Sequence, residues 1–186
     1  MPFARAKKSE PLEEAQLHEY ALRALGRRMR TETDLRRALR AKVEPDESGV
    51  AKVAAVIARL KEYGYLDDAN FAETYTRLRQ ENEKFGQRRV KQDLAQKGVP
   101  QAIASEAIAV RYEDVNEEAL ARQHLERKRI RKPENEKETA RVMRRLVAAG
   151  FSTGVIYKIL QQWDVAEESL GALENLDQEI SDGETE

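Results

Sequence analysis

Few side chains in this sequence are placed where they could carry out a reaction. The two histidines, His18 and His124, each lie on or beside an apolar helical stripe, and neither has a His-x3-His or Glu-x2-His spacing that would suit a metal. The chain has no cysteine, so it can form neither a disulfide nor a thiolate metal site. It also lacks the common glycine-rich phosphate-binding motifs. We therefore expect both histidines to be packing residues, and we expect no metal or other cofactor.

Asp67 and Asp68 are the nearest approach to a paired-carboxylate site. Clustered acids of this kind hold Mg²⁺ in metal-dependent nucleases. These two residues, however, follow Gly64 and precede an apolar stripe that begins at Phe71, which is where a helix N-cap and an acid complementing the helix dipole belong. We favour the capping interpretation, with a nuclease as the alternative. No serine lies near a histidine in sequence, so the protein is not expected to be an enzyme.

Basic clusters are the other candidates for function. Cations at helix C-termini are favoured by the helix dipole and often belong to solvated faces, so a single cluster indicates little. Several clusters together favour contact with phosphate or with an acidic protein groove. No aromatic residues alternate with them, so sequence-specific base readout is not expected. The predicted electrostatic contacts are Arg36, Arg37, Arg88, Arg89, Lys91, Arg127, Lys128, Arg129, Arg131, Lys132, Arg144 and Arg145.

Charge is distributed unevenly along the chain. Residues 1–163 hold all 33 Lys and Arg and 25 of the 34 Asp and Glu, which leaves a formal charge of +8. Residues 164–186 are acidic and contain no basic side chain. This tail is either a solubilising terminus or an autoinhibitory strip that competes for the basic face. Because no apolar run approaches the roughly 18 residues of a membrane span and the N-terminus has no signal-peptide core, we expect the cytoplasm.

The elements that must position these side chains are helices. Apolar residues recur at i, i+3, i+4 and i+7 along most of the chain, while strand-like alternation is nearly absent. Thr31 with Asp34, and Asp114 with Glu117, have the spacing of an N-cap and its N3 residue. Gly98 and Gly150 stand where a glycine would end a helix. The pattern predicts helices at about 15–29, 32–42, 49–63, 68–83, 87–97, 101–112, 115–131, 136–149 and 153–163.

These helices fall into three groups of three, and the second and third groups match at one offset of 52 residues. Val90 corresponds to Val142 and Leu94 to Leu146, and the match continues through the following turn and helix. The matching positions are apolar, so the repeat specifies a scaffold. We predict an all-α fold of tandem three-helix repeats that form an elongated, curved, solenoid-like body. The predicted organisation is a flexible N-terminus at 1–14, repeats at 15–66, 67–113 and 114–163, and an acidic, disordered tail at 164–186.

Five segments resemble those of the regulatory protein RecX family. Tyr63 to Ala72, with the sequence YGYLDDANFA, is similar to the most distinctive segment of that family. Phe85 to Leu94 and Gln96 to Val99 resemble the helix and the turn that follow it, and 21–25 and 33–39 resemble the opening helix pair. The resemblance extends from about Leu17 to Trp163. Gln87 stands where the family usually has proline, and Asp93 where it usually has glutamate.

The resemblance implies a modulator of the RecA recombinase that is built from tandem three-helix units and has no catalytic activity. Family members bind the RecA–DNA filament and reduce its strand exchange, its ATP hydrolysis and the co-protease activity that drives the SOS response. It thus implies a role in homologous recombination and DNA repair. The expected partners are the RecA filament and DNA, which would be bound without sequence specificity. We expect no membrane association, and we expect the protein to be a monomer. The alternative is a helix-turn-helix-like DNA-binding protein that acts independently of RecA.

Overall fold

A computed structural model of the chain describes residues 10–163. The acidic tail at 164–186 and most of the predicted N-terminal segment lie outside the described residues. Within them, no strand is present and helices make up most of the chain, which confirms the all-α prediction. The helices are α1 (Glu14–Arg27), α2 (Glu32–Arg40), α3 (Glu47–Glu62), α4 (Asp68–Leu78), α5 (Gln87–Gln96), α6 (Gln101–Tyr112), α7 (Glu117–Arg127), α8 (Glu136–Ala148) and α9 (Thr153–Gln162); α4 runs directly into a π-helical turn at Arg79–Glu83.

One predicted helix, at 115–131, is longer than the helix that forms. Helix α7 begins two residues later because Asn116, and not Asp114, is its N-cap, and the Asn116 side chain accepts a hydrogen bond from Ala119 N at 2.9 Å. The helix also ends earlier than predicted, because Arg129 adopts a left-handed backbone conformation at φ 54°. The apolar period continues past this point at Ile130, so periodicity alone did not mark the end.

The described residues pack into two compact units. Within the described range, unit 1 comprises residues 10–72 and 95–103, and unit 2 comprises residues 73–94 and 104–163. In unit 1, helices α1, α2 and α3 pack against one another. Their amphipathic faces close over a core in which each of the largest side chains is almost completely buried. This core includes Leu17, Leu35, Leu39, Val53, Ile57, Leu60 and Leu66.

The α2 N-terminus is tied to the turn between α5 and α6, which also belongs to unit 1. Thr31 is the predicted N-cap, and its hydroxyl accepts from Asp34 N at 3.1 Å while donating to Lys97 O at 2.6 Å. Thr33 donates in the same way to Gly98 O at 3.0 Å. One threonine therefore satisfies a free helix N–H and a loop carbonyl together, which is the reason for its complete burial.

In unit 2, α9 packs against both α7 and α8. Because the apolar face of α9 is broad, this helix can pack against both neighbouring helices. The N-terminus of α9 is capped from a distance, since the Glu117 carboxylate accepts hydrogen bonds from both Ser152 N and Ser152 Oγ at 2.8 Å. The core of this unit contains Leu120, Leu125, Val142, Met143, Leu146, Phe151, Ile156, Ile159 and Leu160.

Positions that correspond at the 52-residue offset have the same environment. Val90 and Leu94 are buried, as are Val142 and Leu146. The two glycines that follow, Gly98 and Gly150, both have positive φ, at 73° and 88°. The matching positions therefore do the same structural work, which is to bury a helix face and then to turn the chain.

Candidate functional site

Both predicted contact residues of unit 1 lie beside an acidic side chain. Arg36 pairs with Glu32, and Arg37 Nη1 lies 3.8 Å from Asp34 Oδ1. Glu32 also accepts a hydrogen bond from Lys61 at 2.8 Å, and this bond, together with Arg36, lowers the pKa of Glu32. The cation of each pair is at least 40% exposed, so water screens the attraction and these pairs add little to stability. They do reduce the positive charge that the two arginines present to a partner.

Arg89 is held inside unit 2 by several contacts. Its Nε lies 3.0 Å from Asp93 Oδ1, at ion-pair distance but without the alignment of a hydrogen bond. Its guanidinium lies over the Phe85 ring at 5.6 Å, and Nη1 donates to Ala148 O at 3.4 Å. This side chain therefore connects the beginning of α5 to the end of α8.

Asp93 is the buried acid around which this part of unit 2 is organised. It is only 8% exposed. Tyr75 donates its hydroxyl hydrogen to Asp93 Oδ2 at 3.0 Å, and Arg79 Nε lies 3.7 Å from the same oxygen. Burial raises the pKa of Tyr75, so the phenol stays protonated and remains a donor. A buried carboxylate needs such partners, since an unpaired one is costly.

Glu83 partly neutralises two of the predicted contact residues, Arg127 and Lys128. Its carboxylate lies 3.2 Å from Lys128 Nζ and 3.6 Å from Arg127 Nη2. The hydrogen bond from Lys128 is the main cause of a lowered pKa for Glu83. Because Glu83 is the last residue of the π-helical turn, the geometry of that turn places its carboxylate next to α7.

His124 is a packing residue, as the sequence predicted. It is 4% exposed and lies between the rings of Phe85 and Phe151, with centroid distances of 5.8 Å to each. Its Nδ1 is 3.0 Å from Glu83 O, so that Nδ1 carries the hydrogen that this carbonyl accepts. Burial lowers the pKa of His124, and the charge of neighbouring Lys128 acts in the same direction.

We expect the stability of the protein to fall as the pH is lowered from 7.5 to 5.5. The pKa of His124 is lower in the folded state than in the unfolded state, where it is about 6.5, so protonation favours unfolding and stability is lost below that value. Urea unfolding at pH 7.5, 6.5 and 5.5 measures this slope. His124→Gln should reduce the slope, with His18→Gln as the control for loss of a histidine. An unchanged slope in His124→Gln would show that another group is responsible.

Unlike the paired cations described above, other cations are exposed and have no ion-pair partner among residues 10–163. Arg88 and Lys132 are exposed too, but each makes a further contact, so neither belongs to this group. Ion pairing therefore separates the predicted contact residues in a way that charge alone could not. The exposed cations without a described ion pair include the predicted residues Lys91, Arg129, Arg131, Arg144 and Arg145, together with Arg141, which the sequence analysis missed.

Arg141, Arg144 and Arg145 form what we call the α8 basic face. They occupy positions i, i+3 and i+4 of one helix, so their side chains project from the same side. The opposite side of α8 is buried through Val142 and Leu146. Two signals for Arg141 were visible in the sequence: its helical spacing from the other two, and its place 52 residues after Arg89.

The end of α8 meets the beginning of α5 by direct backbone contact. Gly86 N donates to Ala149 O at 2.9 Å. A Cβ on Gly86 would lie 2.2 Å from Gly150 O, and a Cβ on Gly150 would lie 2.2 Å from Arg89 N. Only glycine permits this approach from either side. The contact brings the first turn of α5, which carries Arg88, to the end of α8 that carries Arg145, although the two are far apart in sequence.

The two adjacent aspartates, Asp67 and Asp68, each cap a different helix. Asp67 Oδ1 accepts from Ala69 N at 2.9 Å and from Asn70 N at 3.0 Å, which is the N-cap arrangement for α4. Asp68 Oδ1 accepts from Glu32 N at 2.8 Å, at the first residue of α2. Burial raises the pKa of Asp68, and this backbone hydrogen bond opposes the rise. The capping interpretation is thus supported for Asp67, and the second carboxylate has a capping role that no local pattern indicated.

Asp67→Ala is expected to destabilise the protein by about 1 kcal/mol, which is the usual cost of losing an N-cap side chain. Asp67→Asn keeps an acceptor of the same shape and should retain most of the stability. Urea unfolding of the two variants beside the unmodified protein measures the difference. Equal losses in both variants would mean that the charge of Asp67, and not its capping bond, stabilises α4.

Two tyrosines in unit 1 are unusually exposed. Tyr63 and Tyr65 are 63% and 60% exposed, and they flank Gly64, whose φ of 71° ends α3. Between them the chain turns so that Leu66 enters the core while both rings stay at the surface. Exposed tyrosines are common in protein–protein interfaces. Sequence analysis had identified the segment but not the exposure of its rings.

Among residues 10–163, no group of three or more His, Asp or Glu is arranged to hold a metal ion. The helices of this range include none long and apolar enough to cross a membrane. The fold and the surface together define a class: an all-helical protein whose acids cap helices and neutralise neighbouring cations, and which exposes a further set of basic side chains.

Comparison with known proteins agrees with this class. Residues 67–108 match the family model described as RecX, second three-helix domain. The regulatory protein RecX of Mycolicibacterium smegmatis is 34% identical over 152 residues, which cover 79% of each chain. That of Mycolicibacterium vanbaalenii is 35% identical over 129 residues, or 68% of each. The RecX protein of Oceanobacillus iheyensis is 31% identical, over 78% of this chain and only 52% of its own.

The crystal structure of RecX from Lactobacillus salivarius has the same fold. Its TM-score is 0.64, with 23% identity over 82% of this chain and 97% of that one. This chain belongs to the regulatory protein RecX family. It is therefore a regulatory protein by family, as the resemblance implied.

Proposed function

We propose that this protein binds the RecA–DNA filament and modulates it, mainly by inhibiting the ATPase, recombinase and co-protease activities of RecA. Membership of the RecX family supports a regulatory role. The observation that carries the proposal is the basic surface of unit 2, whose exposed cations include several with no ion-pair partner among residues 10–163. A RecA–DNA filament offers phosphate groups along its length, and cations that pair with no acid of the described residues can bind them. Action on such a filament would take place in the cytoplasm.

The exposed tyrosines support a protein component in the interaction. Tyr63 and Tyr65 belong to the segment that carries the strongest family resemblance, and their rings contribute little to the core of unit 1. Large aromatic side chains that remain exposed contribute strongly to protein interfaces when they are buried there. Together with the basic surface of unit 2, they would supply several moderate contacts, whose combined effect exceeds that of any one of them.

We infer that the protein acts by binding and not by catalysis. The carboxylates and the imidazole that could take part in a reaction already have structural roles. Asp67 and Asp68 cap helices, Asp93 is buried among its partners, and His124 is packed between two rings. No step of the proposed activity requires a cofactor.

The test is DNA-dependent ATP hydrolysis by the RecA protein of the same organism, titrated with this protein at two salt concentrations. We expect inhibition that increases with dose, is already evident below one protein per RecA, and weakens at the higher salt. Strand exchange measured in parallel separates an effect on the filament from an effect on ATP hydrolysis alone.

Two negative outcomes have different meanings. Unchanged ATPase and strand exchange at stoichiometric ratios, with DNA binding intact, would contradict the proposal and favour a helix-turn-helix-like DNA-binding protein that is independent of RecA. In that case binding should prefer particular duplex sequences. Salt-sensitive DNA binding without sequence preference and without an effect on RecA would leave only a general electrostatic role.

A further inference from the structure

Among residues 10–163, four α-helices end in the same kind of turn, and one of them, α7, has a residue other than glycine in the left-handed position. The other non-glycine residue with a positive φ in this range is Lys84, which ends the π-helical turn. In each, the N–H of the residue in a left-handed conformation bonds back to the preceding turn of the helix. After α3, α5 and α8 that residue is glycine, with φ of 71°, 73° and 88°. After α7 it is Arg129, with φ 54°. Arg129 N donates to Glu126 O and Ile130 N to Leu125 O, both at 2.9 Å, so the turn itself is complete.

The left-handed conformation is unfavourable for arginine. Its Cβ approaches the carbonyl oxygen in this region, a contact that glycine avoids and that asparagine partly offsets by local hydrogen bonding. The Arg129 side chain does not offset this cost, because it is exposed and no acidic residue of this range pairs with it. The position thus carries a residue that local backbone energetics disfavour. Strain of this kind is characteristic of residues kept for a function.

The chain on the C-terminal side of Arg129 is anchored. Ile130 packs against the core of unit 2, and Pro133 is buried. Between these anchors Arg131 is exposed, and on the other side of Arg129 both Arg127 and Lys128 are drawn toward Glu83. Arg129 and Arg131 therefore lie on a backbone segment that Ile130 and Pro133 hold in place. Less conformational entropy is lost when they bind a partner than if the segment were mobile.

The surroundings of Arg129 suit phosphate better than a protein surface. The large exposed apolar side chains of the described structure are Met29, Val50, Tyr63, Tyr65, Leu78 and Val110, and none lies within 127–132. A protein interface requires an apolar or aromatic centre, which this segment lacks. A guanidinium, in contrast, binds phosphate oxygens through two parallel hydrogen bonds.

We propose that Arg129 is held in its left-handed position as a contact to the phosphate backbone of nucleic acid, with Arg131 beside it. This inference rests on the proposed function only in assuming that the partner contains DNA. It adds a specific residue and names phosphate as the group that the residue binds. It also implies a trade-off at position 129, where arginine binds phosphate better but glycine would stabilise the fold better.

The test compares Arg129→Gly and Arg129→Lys with the unmodified full-length protein, in the absence of RecA. Arg129→Gly relieves the strain, so we expect the Tm to rise by about 2–4 °C. Its affinity for a fluorescently labelled 20-nucleotide single strand should fall several-fold at low salt. The slope of log affinity against log salt should become less steep by about 0.7, as expected for one lost phosphate contact. Arg129→Lys keeps the charge, so its salt slope should be close to that of the unmodified protein.

Three results would overturn the inference. If Arg129→Gly binds the oligonucleotide with unchanged affinity and salt slope, Arg129 is an ordinary surface residue. A lower Tm in Arg129→Gly would contradict the strain argument. Unchanged DNA binding with weaker inhibition of RecA would assign Arg129 to an acidic protein surface. If the unmodified protein fails to affect RecA while the Arg129→Gly effects on DNA and Tm are observed, the proposed function fails and this inference stands.

Discussion

Gly150→Ala is expected to destabilise unit 2 by about 3 kcal/mol. A left-handed alanine costs about 1–2 kcal/mol, and forced displacement of packed neighbours adds a similar amount. Both costs apply here, since φ at Gly150 is 88° and a Cβ would lie 2.2 Å from Arg89 N. The neighbour is backbone at the start of α5, so it cannot rotate away as a flexible side chain could. Equilibrium unfolding in urea measures the loss.

A second variant, Gly86→Ala, tests the same contact through its other residue. Gly86→Ala places a Cβ 2.2 Å from Gly150 O and should also be strongly destabilising. Gly154→Ala is the matched control, because Gly154 lies within α9 and a Cβ there meets nothing within 4 Å. Alanine should be neutral or stabilise α9 by at most about 1 kcal/mol. If Gly150→Ala were as stable as Gly154→Ala, the close approach of α5 to the end of α8 would be wrong.

The Gly86–Gly150 contact is also expected to affect DNA binding. The Gly86–Gly150 contact determines where the first turn of α5 lies relative to the end of α8, and with it the arrangement of basic residues on unit 2. We expect a Gly150→Ala protein that is still folded at low temperature to bind DNA less tightly than the unmodified protein. The Gly154→Ala protein should bind DNA normally.

Replacing Arg141, Arg144 and Arg145 by alanine is expected to weaken DNA binding about tenfold to a hundredfold at low salt. The three side chains of the α8 basic face are exposed and have no ion pair within the described structure. They can therefore bind phosphate without first breaking an internal contact. The salt slope should become less steep by about 2 for a single strand if all three bind phosphates. Exposed substitutions on one helix face should change stability little.

The matched control removes the same net charge from paired positions. Arg23, Arg36 and Arg37 of unit 1 each have an acidic partner, Glu19, Glu32 and Asp34 respectively. Substitution of these three by alanine should weaken binding much less than substitution of the α8 basic face. Equal losses in the two triple variants would show that binding depends on net charge alone, and would contradict the assignment of the α8 basic face. Fluorescence anisotropy with one labelled oligonucleotide suits both variants.

Sequence alone was sufficient for the approximate helix spans and for most of the turns that end them. The predicted spans agree with the helices to within a few residues, and the Thr31 and Asp67 caps and the positive φ of Gly98 and Gly150 were readable from neighbouring residues. The reason is that helix periodicity and capping depend on residues three or four apart, whose interactions do not require the rest of the fold. The end of α7 was missed because an arginine occupies a position that usually signals itself by glycine.

The sequence also identified the basic character of the candidate site, but not which cations are available. Charge is a property of composition, so the clusters were evident without a structure. Whether a cation is neutralised depends on which acids the fold brings to it. Glu83 lies far in sequence from Arg127 and Lys128, and the turn that directs it toward them is π-helical. Arg89, a predicted contact, is likewise occupied by Asp93 and Ala148, whereas Arg141, which was not predicted, has no ion-pair partner among residues 10–163.

Only the tertiary structure assigned the long-range roles. Asp68 caps α2, Glu117 binds Ser152 at the N-cap of α9, and Gly86 lies against Gly150; none of these pairs has a local signature. Each depends on how helices that are far apart in sequence pack together, and packing is decided by the shapes of whole faces. Local interactions thus determined the elements of this protein, while the meeting of those elements decided which polar groups are satisfied and which remain free to bind a partner.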